Sequence, residues 1–145
     1  MTHVFIDPDV LLDVVTGRLP FSKEAGALFT LIEKNQLKGY ASALSFSNIY
    51  YVLRKHASHS RVIKSLNELS DLVDILQVDQ SIVKTALQSG FGDFEDALRC
   101  YAAQSNPEIK MIITRNTKDF KKSDLPAMTP NTFLKTVALL GQSAD

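Results

Sequence analysis

The chain has 145 residues, 45% hydrophobic and 22% charged, which suits one globular domain over residues 1–145 with a single sizeable core. Lysine plus arginine and aspartate plus glutamate each number 16, so the formal net charge is zero; this excludes nucleic-acid binding driven by bulk positive charge and leaves local basic patches or bound cations. The single cysteine, Cys100, excludes an internal disulfide, no apolar run approaches the ~20 residues of a membrane span, and MTHVFIDPDV lacks the features of a secretory signal, so the expected compartment is the cytoplasm.

In chain order, Val4-Phe5-Ile6 is a short strand that stops at Asp7-Pro8-Asp9. A helix follows, with Pro8 near its start, Asp9 close to the N-cap, and Val10, Leu11, Val14 and Val15 at helical spacing until Gly17 and Pro20 close it. Ser22 to Asn35 is the next helix, with Ser22 as N-cap and Ala25, Leu28, Phe29 and Ile32 on one face. Gly39 to Ser42 is a strand, Ala43 to Lys55 a helix with Phe46, Ile49, Tyr50 and Leu53 inward, and Arg61 to Leu72 a helix carrying Val62, Leu66 and Leu69. A third strand covers Val73 to Val78. Helices cover Ser81 to Ser89, stopped by Gly90 and Gly92, and Phe94 to Gln104. Met111 to Thr114 is a β-branched strand, Asn116 to Phe120 a turn of helix, Ala127 to Thr129 a strand and Asn131 to Leu140 a last helix. Strands alternating with helices predict an α/β/α sandwich around a parallel sheet of about four or five strands.

In such sheets, sites form beyond the carboxyl ends of the strands, which selects three segments. Asp7 ends the first strand, with Asp9 two residues on and Asp13, expected to face outward, a helical turn later. Asp93 and Asp96 share a helix face at three-residue spacing, and Asn116 and Asp119 repeat that spacing after the strand that ends in Thr114. Each segment alone also reads as a helix cap or a turn. Gathered together, several carboxylates need a cation, and oxygen-only ligands suit Mg²⁺ or Mn²⁺, the ions of phosphodiester hydrolysis.

The ordered set resembles the PIN-domain nucleases, including the VapC-type toxins. The family's D-T-N-V-L is matched by Asp7-Pro8-Asp9-Val10-Leu11, its Ser-Ala before a helix by Ser42-Ala43, its Asp-Ala helix by Asp96-Ala97 with Ala102-Ala103, and its T-R-N/D with Asp-Phe by Thr114-Arg115-Asn116 and Asp119-Phe120. The resemblance implies a Mg²⁺- or Mn²⁺-dependent endoribonuclease, the toxin of a toxin–antitoxin pair, with an RNA substrate, an antitoxin partner and a homodimeric state. Carried over, Asp7, Asp93, Asp96 and Asn116 are catalytic, Asp7, Asp93, Asp96 and Asp119 bind metal, and Asp9, Asn48 and Thr114 support them. The family's helical glutamate falls on Asn48 and its last acid on Asn116; an amide coordinates through its carbonyl but adds no charge.

Arg115 and Lys118 are candidate contacts to the nucleic-acid backbone; Tyr40, Tyr50 and Tyr51 read as core residues with a wet hydroxyl in preference to base-stacking platforms, and the basic run from Arg54 to Lys64 reads as a solvated helix end and loop or as a phosphate contact. Leu28, Phe29, Tyr50, Tyr51 and Leu53 exceed what one sheet face needs, a second pointer to a dimer. The alternative function is a catalytically degraded domain that binds RNA or protein. A phosphotransfer receiver is disfavoured because no suitable lysine follows a late strand.

Overall fold

The structure, a computed structural model, describes residues 1–17 and 20–144. Its strands are β1 (Thr2–Ile6), β2 (Leu37–Ser42), β3 (Val73–Leu76), β4 (Met111–Ile113) and β5 (Ala127–Met128). The helices are α1 (Pro8–Thr16), α2 (Ser22–Glu33), α3 (Ala43–Arg54), α4 (His59–Leu72), α5 (Gln80–Leu87), α6 (Phe94–Gln104) and α7 (Pro130–Ala144), with a 3₁₀ turn at Thr117–Phe120. All pairings are parallel and the strand order is β3-β2-β1-β4-β5, so β1 is central and every strand ends on the same side.

Alternation along the strands divides the core. Val4 and Ile6 of β1, with Ala41 and Ile113, pack under Leu11, Leu28, Phe29, Ile49, Leu69 and Phe133 from α1, α2, α3, α4 and α7. Phe5, paired in register with Tyr40 and Ile112, points to the other face, where α6 supplies Cys100 and Ala103. Helix α5 covers α6 through Ile82, Ala86, Ala97, Leu98 and Ala102. The chain is therefore an α/β/α sandwich with a parallel sheet of five strands, and both faces of the strands are apolar because both are covered. Among the described residues no helix is long and apolar enough to cross a membrane.

Side-chain caps start several helices: Ser42 accepts from Ser45 N–H, Ser58 from Arg61 N–H, Asp79 from Ile82 N–H and Asp93 from Asp96 N–H. Gly17 ends α1 in the left-handed region at φ 65° and donates its N–H to the Asp13 carbonyl.

Two caps differ from expectation. Asp7, not Asp9, is the N-cap of α1, because Pro8 occupies the first helical turn and the Asp7 carbonyl accepts from Val10 and Leu11 N–H. Phe21, not Ser22, precedes α2 and offers no side-chain cap. The apolar surplus also shrinks. Leu28 and Phe29 are buried in the core, Leu53 packs against it, and Tyr50 is half-buried with its hydroxyl on His59 Nδ1 at 2.9 Å. Only Tyr51 of those five stays exposed.

Candidate active site

The site grows from the central strand. Asp7 N–H donates to the Ile113 carbonyl at 2.9 Å, which continues the β1–β4 pairing one residue past β1. The cap of α1 uses the Asp7 backbone, so its carboxylate is left for the site. The next residue after β4, Thr114, is fully buried and donates its hydroxyl to Asp7 Oδ2 at 2.8 Å. Asp9 Oδ2 accepts from Arg115 N–H at 3.1 Å and from the Asn116 side-chain amide at 3.2 Å. Asn116 N–H in turn donates to Thr114 Oγ1 at 3.1 Å. The ends of β1 and β4 are thus tied together through carboxylates.

Helix α6 brings the second group. Asp93 caps it through Asp96 N–H at 3.0 Å, which fixes Asp96 in the first turn and leaves it buried. One turn later, Arg99 Nη1 donates to Asp96 Oδ1 and Nη2 to Glu95 Oε2, both at 3.1 Å. Its Nε lies 3.7 Å from Asp7 Oδ1, so the guanidinium spans the two buried acids. Beside them, Asp93, Asp96, Asp119, Lys118, Lys121 and Lys122 line a cavity of about 320 Å³.

Burial sets the electrostatics. It raises the Asp7 carboxyl to about 7, helped by the charges of Asp9 and Asp96 against the opposing pull of Arg99 and the Thr114 hydroxyl. Burial also raises Asp96 to about 6, with Asp119 and Asp93 adding to it and Arg99 opposing. Asp9 is raised chiefly by burial as well, against the Arg115 N–H bond.

The donors fit a hard divalent cation. Oδ1 of Asp7 and Oδ1 of Asp9 are both buried without a hydrogen-bond partner, and every nearby donor is oxygen. Among the described residues, however, no three acidic, histidine or cysteine side chains form a ready-made ion cage. The acids stand as two groups, Asp7 with Asp9 and Asp96 with Asp93 and Asp119, and Arg99 lies between Asp7 and Asp96.

Asp7, Asp9, Thr114 and Asn116 therefore come together at the ends of β1 and β4, with Asp96 linked to Asp7 through Arg99, whereas Asp93 is engaged as a cap and Asn48 sits half-buried in α3 with no side-chain hydrogen bond among the described residues. Lys118 and Asp119 are exposed at the cavity. Arg115 does not present a free guanidinium: Nε and Nη2 bind Asp13 at 2.8 and 3.4 Å, and the group lies 4.0 Å over the Phe21 ring. Asp13 is accordingly buried, at 1% exposure, instead of facing outward. Sequence reasoning missed Arg99 altogether, although Glu95 and Arg99 carry the helical pair spacing that signals a salt bridge.

The sequence matches the family model of the PIN domain over residues 3–118. No curated protein matches it. Among solved structures, the fold is similar to FitAB bound to the IR36 DNA fragment, at 17% identity over 88% of this chain and 94% of that one, TM-score 0.65. It is also similar to VapBC2 from Rickettsia felis bound to a fragment of its promoter, at 14% identity over 89% of this chain and 98% of that one, TM-score 0.62. A third is VapC20 of Mycobacterium tuberculosis, described as a sarcin–ricin loop cleaving toxin, at 15% identity over 75% of this chain and 86% of that one, TM-score 0.57. Identities this low speak to the fold alone, and it is the match along residues 3–118 that assigns the chain to the PIN domain family.

Proposed function

We propose that the chain is a Mg²⁺- or Mn²⁺-dependent endoribonuclease, the toxin of a toxin–antitoxin pair. The observation that carries this reading is the Asp7 carboxylate: buried at the end of the central strand, with one oxygen unpartnered and facing the Arg99–Asp96 pair. Asp7 and Asp96 would hold the ion, with Asp93 or Asp119, which line a cavity together with Asp96, completing its surroundings. When bound, such an ion polarises the phosphate and lowers the pKa of water beside it. Thr114 and Asn116 keep Asp7 and Asp9 aimed, and Lys118 with Lys121 and Lys122 offers charge to a phosphate backbone at the cavity rim. The single-domain organisation and the cytoplasmic compartment belong to the same proposal.

An antitoxin partner is supported by the family and by the FitAB and VapBC2 assemblies that share the fold. A homodimer is expected too: light scattering at high concentration should give twice the 16.1 kDa chain mass, and a mass of one chain would refute it.

The test is cleavage of end-labelled single-stranded RNA by purified protein. Cleavage should require Mn²⁺, stop with a chelator, and fall more than about 100-fold in Asp96→Asn. Chelator-resistant cleavage, or unchanged cleavage by Asp96→Asn, would overturn the assignment. The second reading, a degraded module, is favoured by the amides at Asn48 and Asn116, the latter spending its Nδ2 on Asp9. Its signature is RNA retention without Mn²⁺ binding or cleavage.

A further inference from the structure

The two arginines near the site are held in different ways. Arg115 is paired with Asp13, whose carboxylate accepts its Nε at 2.8 Å and its Nη2 at 3.4 Å. Arg99 is shared. It reaches Asp96 and Glu95 at hydrogen-bond distance, but stands 3.7 Å from Asp7 Oδ1. That distance gives Coulomb attraction without a hydrogen bond, and Asp7 Oδ1 stays unpartnered inside a residue only 5% exposed. The guanidinium therefore supplies charge to the site without satisfying that buried oxygen. A divalent ion would meet the same two carboxylates with more charge and at shorter range.

Glu95 adds a second feature. Its side chain is 64% exposed, in contrast to the buried acids, and it holds Arg99 Nη2 at 3.1 Å. An arginine displaced from Asp7 and Asp96 keeps this partner on the same helix, four residues back. The cost of releasing the acids is lowered accordingly.

We propose that Arg99 is the built-in counter-cation of the acidic site. It neutralises Asp7 and Asp96 when no ion is bound and competes with the divalent ion for them, with Glu95 receiving the displaced guanidinium. The proposal rests on the reading of Asp7 and Asp96 as metal ligands. On this view Arg99 sets the metal affinity of the site without itself being a metal ligand.

Calorimetric titration with Mn²⁺ and thermal melting at pH 8 test it on the parent, Arg99→Gln and Glu95→Gln. Arg99→Gln should bind Mn²⁺ about tenfold more tightly, since one unit of competing charge is gone, and should melt at a lower temperature without metal. Glu95→Gln, a surface change, should bind Mn²⁺ about two- to fivefold more weakly, because the released guanidinium loses its exposed partner. Parent binding with unchanged or weaker binding by Arg99→Gln would overturn the role of Arg99 and leave the metal site standing. Absence of binding by the parent and both variants would overturn the metal site as well. Should Arg99→Gln fold only with Mn²⁺ present, the sign of the Glu95→Gln change decides: equal or tighter binding rejects the proposal.

Discussion

Asp7→Asn should make the metal-free protein more stable while removing its metal binding and its cleavage activity. The carboxyl of Asp7 is raised to about 7 by burial and by its acidic neighbours, so its charged form is disfavoured in the fold. A carboxyl whose folded pKa lies above its unfolded value contributes stability that is full below about pH 4 and lost as pH rises through 7. At pH 8 the parent has lost all of it, a deficit on the order of 2–4 kcal/mol. An asparagine carries no charge and still accepts the Thr114 hydroxyl, so the variant should escape most of that loss. The melting temperature without metal should rise by roughly 5–10 °C at pH 8 and change little at pH 4. Mn²⁺ should stabilise the parent by mass action and leave the variant nearly unmoved. Asp93→Ala separates a ligand from a cap: a residue that only caps α6 costs about 1 kcal/mol on removal, the same with or without the ion, whereas a ligand's removal also weakens the Mn²⁺ response. Equal melting of parent and Asp7→Asn at pH 8, or the same Mn²⁺ response from both, would remove Asp7 from the metal site.

The element order was legible because this architecture writes itself into short runs. Strands covered on both faces appear as unbroken apolar triplets such as Val4-Phe5-Ile6, and helix faces repeat as in Ala25, Leu28, Phe29 and Ile32. The strand-end rule singled out Asp7, Thr114 and Asn116, which follow β1 and β4, whereas Asp93 and Asp96 were singled out by their spacing at a helix start. What escaped depends on approach through space. Arg99 meets Asp7 only because α6 packs on the sheet face that carries Phe5, Tyr40 and Ile112, although its pairing with Glu95 was local and readable. Asp13 was expected outward because an acid on a short amphipathic helix normally belongs to the wet face. Its partner lies 102 residues away, beyond any local pattern. Leu28 and Phe29 looked surplus because a helix packed on a sheet was assumed to touch the sheet alone. In the fold α2 also packs against α1, α4 and α7, which absorbs the extra apolar surface.

Asp13→Ala should be among the most destabilising single substitutions in the chain, at roughly 3–5 kcal/mol. Asp13 is 1% exposed and its carboxylate accepts both Nε and Nη2 of Arg115. Arg115 is itself three-quarters buried at the side chain and stacked on Phe21, so it cannot simply turn to solvent when its partner is removed. Arg115→Met is expected to be at least as costly, because it leaves the more deeply buried charge alone. Replacing both, as Asp13→Leu with Arg115→Met, removes both desolvated charges and should recover most of the loss. Urea unfolding of the three variants measures this coupling directly. The effect should reach the site. The same residue whose guanidinium binds Asp13 donates its backbone N–H to Asp9 Oδ2, and the next residue, Asn116, bonds to the same oxygen. A loosened Arg115 releases the end of β4, so Mn²⁺ affinity should fall about 10- to 100-fold, as it does when the support of a metal ligand is removed. A direct contact to nucleic acid predicts a different pattern: Arg115→Met would weaken RNA binding and flatten its salt dependence while leaving unfolding almost unchanged. The pairing with Asp13 requires the reverse, and a stability change below about 1 kcal/mol, the scale of an exposed pair, would show that it contributes no more than surface charge.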